Sequence, residues 1–128
     1  MKTQYAVILA TLAGFGLGAV AVNGLHAQAK PPVYQISEID VADQEGYIKD
    51  YAPRAVAALE AAGAKFIVRG GKTYSFVGEP PKRIVVLVWD NIEKIEAYRN
   101  SAAAKELAPI LQKYGKAQRS FAMEGVTN

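Results

Sequence analysis

Ile84-Val85-Val86-Leu87-Val88-Trp89 is the stretch on which the fold turns. Four of these six residues are β-branched and one is aromatic, the composition of a strand. The run is short, and Pro80-Pro81 precedes it while Asp90-Asn91 follows it, so it reads as a strand spanning Lys82–Trp89. It does not alternate apolar with polar. Both of its faces are apolar, so both need cover.

Downstream of it, Asp90 or Asn91 offers a side-chain cap for a helix over Ile92–Asn100. Ser101 offers the next cap, for a helix to about Tyr114 that Pro109 is expected to interrupt. Gly115 closes the helical region, and Lys116–Gly125 reads as the last strand. Upstream, Gly78-Glu79-Pro80-Pro81 is a loop, and Lys72–Val77 is expected to continue a strand begun at Ala64–Arg69 after a break at Gly70-Gly71. Before that, Asp43 is placed to cap a helix through Ala62, with Glu45 in its first turn and Gly63 as its stop. Ile48, Tyr51, Ala55, Leu59 and Ala62 form one apolar stripe at helical spacing, and Pro53 predicts a kink or restart near Asp50–Ala52. Val33–Asp40 is the first strand, with Gln35 and Ser37 on one face and Tyr34 and Ile36 on the other.

The order is strand, helix, strand, strand, helix, strand: the α+β, ferredoxin-like βαββαβ pattern, an antiparallel sheet with its helices on one face. In that architecture the second sheet face is open. A central strand that is apolar on both sides then implies a second layer, and the economical one is another copy of the same sheet in a symmetric dimer. Loops or chain ends are the alternative cover.

Residues 1–29 differ in composition from the rest. Lys2 is their sole charged side chain, Ala6–Val22 is apolar or glycine apart from Thr11, and Ala27 and Ala29 form an Ala-x-Ala cleavage signal. This is the layout of a cleavable signal peptide, with Lys30–Pro32 as a linker and 33–128 as the domain. The rival is an uncleaved anchor: the run of about 17 residues is at the low edge for spanning a bilayer. Gly14 and Gly18 stand at a helix-dimerisation spacing. Cleavage after Ala29 leaves 99 of the 128 residues, with a net charge of +2 instead of +3. It also removes His26, the chain's single histidine. The expected address is periplasmic or secreted, with membrane association only if the leader stays.

The full chain has no cysteine, which excludes disulfides, thiolate metal sites and cysteine nucleophiles. Once histidine leaves with the leader, histidine-ligated haem and a serine–histidine triad are excluded too. Acidic and basic residues are interspersed, so no basic stripe for nucleic acid exists. Arg69-Gly70-Gly71-Lys72 resembles a phosphate cradle only superficially: a phosphate loop needs GxxxxGK, then Ser or Thr and a helix, whereas these glycines lie between strand-like segments and read as a turn or bulge. Asp40 and Asp43 read as strand-end and helix-cap residues, so neither a metal nor a cofactor is expected.

The segments Gly63-Ala64-Lys65-Phe66-Ile67-Val68-Arg69-Gly70-Gly71, Pro81-Lys82-Arg83-Ile84-Val85-Val86-Leu87 and Ala97-Tyr98-Arg99-Asn100-Ser101 carry a resemblance. With Tyr47, Gly78 and Glu124-Gly125 in the same order, Pro32–Val126 resembles the bacterial family known as domain of unknown function 1330, of the dimeric α/β-barrel group. The resemblance implies a ferredoxin-like subunit paired into a barrel and implies no particular reaction. The chain departs from the family in having Ala104 where a tyrosine is usual, and only Lys113 near the place of a common arginine.

Ligands of such barrels lie between sheet and helices or inside the barrel, so polar groups at those places are the candidates. Arg69, Arg83, Arg119 and Glu124 fall on or at the ends of strands; Tyr47, Tyr51 and Arg54 fall on the first helix. Arginine offers a fork for a carboxylate and tyrosine a donor. The same groups serve equally as surface ion pairs and core aromatics with wet hydroxyls. The candidate ligand-binding set is Tyr47, Arg69, Arg83 and Glu124. Two functions fit: an exported homodimer that binds a small ligand or is structural, and a cofactor-independent isomerase or monooxygenase for a small apolar or aromatic substrate. A pocket converging on Arg69, Tyr47 or Glu124 speaks for a ligand; a cleft filled by Trp89, Phe121 and Met123 speaks for a structural role.

Overall fold

The computed structural model describes residues Lys30–Thr127; the leader and its cleavage site lie outside the described residues. The chain folds in the expected order. β1 is Val33–Val41, and Asp43 follows as a cap whose Oδ1 accepts the Gly46 N–H at 3.0 Å. The first helix is built in three pieces: α1 Gln44–Gly46, a π-helical turn Tyr47–Tyr51, and α2 Ala52–Ala62. Pro53 accounts for the middle piece. It has no N–H to return to the carbonyl four residues back, and its ring crowds that carbonyl. The turn widens, and the Ala52 N–H bonds the Tyr47 carbonyl five residues back. Gly63, at φ 109°, ends α2 in the left-handed conformation that favours glycine.

β2 is Lys65–Arg69, with a register shift between Phe66 and Val68. The expected strand at Lys72–Val77 does not form. Gly70 and Gly71 both have positive φ and turn the chain off the sheet edge, and residues 71–80 are exposed throughout. β3 is Ile84–Trp89, two residues shorter at its start than expected. Asn91 caps α3, Ile92–Arg99, and Ser101 caps α4, Ala102–Tyr114. Pro109 does not interrupt α4. Leu107 is buried and Leu111 and Tyr114 pack against the core, so burial on both sides of the proline outweighs one lost backbone bond. β4 is Gly115–Glu124.

The four strands form one antiparallel sheet in the order β2-β3-β1-β4. Val33, Ile39, Val85, Leu87 and Trp89 point to the helices and pack with Tyr47 and Ile95 into the core. Trp89, 1% exposed, is its most buried large side chain. Its indole N–H donates to Gln35 Oε1 at 3.0 Å, which satisfies the one polar atom that burial would otherwise strand. The opposite face carries two cross-strand rows, Val68–Val86–Ile36–Phe121 and Lys65–Val88–Tyr34–Met123. Phe121 and Met123 are 45% and 58% exposed there. A third row on this face holds Ile84, Glu38 and Arg119, where the buried Glu38 accepts two hydrogen bonds from the Arg119 guanidinium.

Candidate functional site: the cleft between sheet and helix

Between the helix-facing side of the sheet and the first helix lies a cavity of about 160 Å³. Its walls come from both layers. β1 contributes Gln35, Ser37 and Ile39, β3 contributes Val85 and Leu87, and α2 contributes Ala52, Ala55, Val56 and Leu59. Tyr47 and Tyr51 enter from the π-helical turn, and Tyr98 from α3. Arg69, Arg83 and Phe66 complete the lining.

Strand alternation puts Arg83 there. Residues 83, 85, 87 and 89 share one face, and 85, 87 and 89 are the buried, helix-facing members. Arg69 arrives by a different device. Phe66 pairs with Leu87 on the helix side, so strict alternation would send Arg69, three residues on, to the open face. The bulge inserts Ile67 as an extra residue, and Arg69 instead pairs with Val85 on the helix side.

The Arg83 guanidinium lies over the Tyr47 ring, 5.0 Å from its centroid. Its other neighbour is Gly70, where a side-chain Cβ would approach Nη1 to 2.7 Å. The Nε of Arg83 is buried and has no hydrogen-bond partner among the described residues. Arg69 lies 5.4 Å from the Phe66 ring centroid and is otherwise exposed at the mouth. The π-turn sets Tyr47 and Tyr51 with ring centroids 5.2 Å apart. Burial first, and then the neighbouring Tyr47 and Tyr98, push the Tyr51 hydroxyl up to about 12, so at neutral pH it is a donor.

Of the residues proposed from sequence, Tyr47, Arg69 and Arg83 come together in this cleft. Glu124 does not join them. It is exposed at the end of β4, opposite Val33, at the far end of β1 from Ile39, whose N–H bonds the Arg83 carbonyl. Six residues of strand separate Val33 from Ile39, roughly 20 Å. Arg119 is engaged by Glu38 on the opposite face. Arg54 pairs with Asp50, which also accepts the Tyr114 hydroxyl at 2.8 Å. Tyr98 and Phe66 are lining residues that the sequence did not single out as site groups. Phe66 reaches the cleft through its pairing with Leu87 on the helix side, and Tyr98 stands three residues after the buried Ile95, on the same face of α3. Ala104, the departure from the family's usual tyrosine, is not in the lining.

Wider surface depressions run along β2, about 670 Å³, and beside the 70–83 loop, about 490 Å³. Among the described residues no three metal-ligating side chains cluster. Asp43 caps its helix and Asp40 accepts from Gln118 Nε2 at 2.9 Å. Nor, among the described residues, is any helix long and apolar enough to cross a membrane.

A four-stranded antiparallel sheet ordered β2-β3-β1-β4, with its helices on one face and a cleft of mixed polar and apolar lining between the layers, defines a ferredoxin-like α+β domain. The chain belongs to the family described as domain of unknown function DUF1330, whose sequence model matches residues 32–126. Solved structures share the fold. A protein of unknown function from Rhodopseudomonas palustris has a TM-score of 0.61 at 11% identity, over 81% of this chain and 92% of that one. An EthD-like protein from Ralstonia eutropha has a TM-score of 0.56 at 18% identity, over 74% and 92%. A protein of unknown function from Bacteroides thetaiotaomicron, described as a possible oxidoreductase, has a TM-score of 0.52 at 13% identity, over 75% and 99%. At these identities the likeness is one of fold. No curated protein matches the chain.

Proposed function

We propose that this protein is an exported homodimer that binds a small molecule in the sheet–helix cleft. The observation that carries this reading is the convergence of Tyr47, Arg69 and Arg83 on one cavity of about 160 Å³. The side chains that would fill a purely structural cleft are elsewhere: Trp89 is bonded to Gln35 beyond the cavity, and Phe121 and Met123 belong to the opposite face.

Binding is favoured over acid–base catalysis by the same wall. It contains no aspartate, glutamate, lysine or histidine, and Tyr51 stays protonated far above neutrality. A general base poised near neutral pH is therefore not among the lining groups. A cofactor-independent isomerase or monooxygenase would need a substrate that ionises without help from this wall.

The homodimer is supported by the apolar row Val68–Val86–Ile36–Phe121 and by Val88, Tyr34 and Met123 in the row beside it, which the helices do not cover. A second sheet packed on them buries the central strand on both sides. Export is supported by the leader's composition and its Ala27-x-Ala29 signal.

Three measurements test the reading. Mass spectrometry of the protein from its host is expected to find Lys30 at the N-terminus; an intact Met1 rejects cleavage. Analytical ultracentrifugation is expected to find a dimer that Phe121→Arg converts to monomer; a monomeric wild type rejects the pairing. Native mass spectrometry is expected to detect a bound small molecule, lost in Tyr47→Trp, which fills the cleft. Turnover of a substrate at a rate unchanged by every cleft variant would remove the cleft from the function altogether.

A further inference from the structure

The charges of the cleft do not balance. Among the described residues the ion pairs engage Lys49, Arg54, Lys94 and Arg119, and neither Arg69 nor Arg83 takes part in one. The lining holds both arginines and no carboxylate. Arg83 is fixed between the Tyr47 ring and the Gly70 backbone, with its Nε buried and unpartnered. A partly desolvated cation held in place without a counter-charge is stabilised by any anion that enters beside it.

The remaining walls are apolar and restrict size. Leu59, Phe66, Val85, Leu87 and Ala55 line the body of the cavity. At about 160 Å³ it matches, in size, an engineered apolar cavity of about 150 Å³ that holds one benzene molecule. Gln35 and Ser37, the polar wall on β1, are already engaged by Trp89 and Ser120. Among the lining residues that leaves the hydroxyls of Tyr47, Tyr51 and Tyr98 and the two guanidinium groups as donors for a guest. The wall offers donors and positive charge at one end, and a ring-sized apolar space at the other.

We infer that the ligand of this cleft is a carboxylate carried on a single aromatic ring, with the carboxylate at Arg83 and Arg69 and the ring among Leu59, Phe66, Val85 and Leu87. This rests on the binding function proposed above and gives it a ligand class. A guanidinium recognises carboxylate and phosphate alike. The carboxylate is preferred because the ring alone takes up nearly all of the volume, and the smaller headgroup fits what is left. A cationic or dianionic aliphatic guest would leave either the arginines or the apolar wall uncompensated.

The test is a titration of the purified protein with benzoate, followed by backbone amide NMR, with benzamide, phenyl phosphate and acetate as comparison probes. Benzoate is expected to shift the amides of Ser37, Phe66 and Leu87 saturably and to bind at least about tenfold more tightly than neutral benzamide. Arg83→Gln and Arg69→Gln are each expected to weaken benzoate by about ten- to a hundredfold and to leave benzamide unchanged. If Arg83→Gln loses its fold, Arg69→Gln at the exposed mouth carries the comparison. Benzamide binding as well as benzoate, or phenyl phosphate or acetate binding more tightly, overturns the ligand class while leaving a cleft that binds. Absence of shifts at the cleft with every probe overturns the binding function itself.

Discussion

The Arg83 guanidinium and the Tyr47 ring, 5.0 Å apart, tie the start of β3 to the π-helical turn and form one wall of the cleft. Tyr47 is 3% exposed and belongs to the hydrophobic core, while its ring face supports a cation. Cation–π contacts of partly desolvated groups are worth about 0.5–2 kcal/mol. The contact therefore matters more for holding Arg83 in position than for stability.

Tyr47→Phe keeps the ring, and its hydroxyl has no side-chain partner among the hydrogen bonds of the described residues. Urea unfolding is expected to register a loss below about 1 kcal/mol. Tyr47→Ala empties a buried site and is expected to cost about 3–5 kcal/mol, a large share of a small domain's stability. Equal losses in the two variants would contradict the packing role assigned to the ring.

Trp89→Phe removes the donor that satisfies Gln35 Oε1 and is expected to cost about 1–3 kcal/mol in urea unfolding. Adding Gln35→Leu removes the stranded acceptor as well. The double variant is expected to be more stable than the sum of the two single losses. Strict additivity would mean that the 3.0 Å bond between these residues contributes nothing.

Tyr51 makes stability depend on alkaline pH. Its hydroxyl is raised from 10.0 to about 12 by burial, so the unfolded chain releases this proton first. The unfolded state then binds fewer protons than the folded one, and stability falls as pH rises from 10 toward 12. Tyr98, raised by burial, and Tyr114, raised by its bond to Asp50, act in the same direction. Tyr51→Phe is expected to flatten the fall above pH 10 in unfolding curves measured across this range. An unchanged slope would show that Tyr51 titrates normally.

Pro109 sits inside α4 without a backbone N–H, so the helix lacks one bond there. Pro109→Ala restores it at an exposed position. The expected gain is on the order of 2 kcal/mol, after allowance for the freer unfolded chain. It should appear as a higher urea midpoint at constant slope. A loss of stability would mean that the proline is packed rather than tolerated.

Much of this architecture is local, and the sequence alone determined it. Asp43, Asn91 and Ser101 cap their helices because each side chain accepts a hydrogen bond from a backbone N–H three residues ahead. Gly63 stops α2 because its φ suits no other residue well. The Ile84–Trp89 strand, apart from the two residues expected before it, and the βαββαβ order follow from composition and punctuation in the chain itself. Pro53 announced a disturbance of the first helix, although not that it would take the form of a π-turn.

What decided the cleft is not local. Arg69 faces the helices because β2 bulges at Ile67 when it pairs with β3, and one inserted residue exchanges the two sides of a strand. Glu124 stands apart because the antiparallel register places it opposite Val33, at the other end of the sheet from Arg83. Lys72–Val77 has strand-forming residues but finds no strand to pair with, since two positive-φ glycines carry it away from the edge. Pro109 stays in a helix because buried neighbours outweigh its own preference. Sequence pattern marks most of the elements, since caps and periodicity act within a few residues. Which side chains meet depends on register between strands far apart in the chain, and only the tertiary structure sets that.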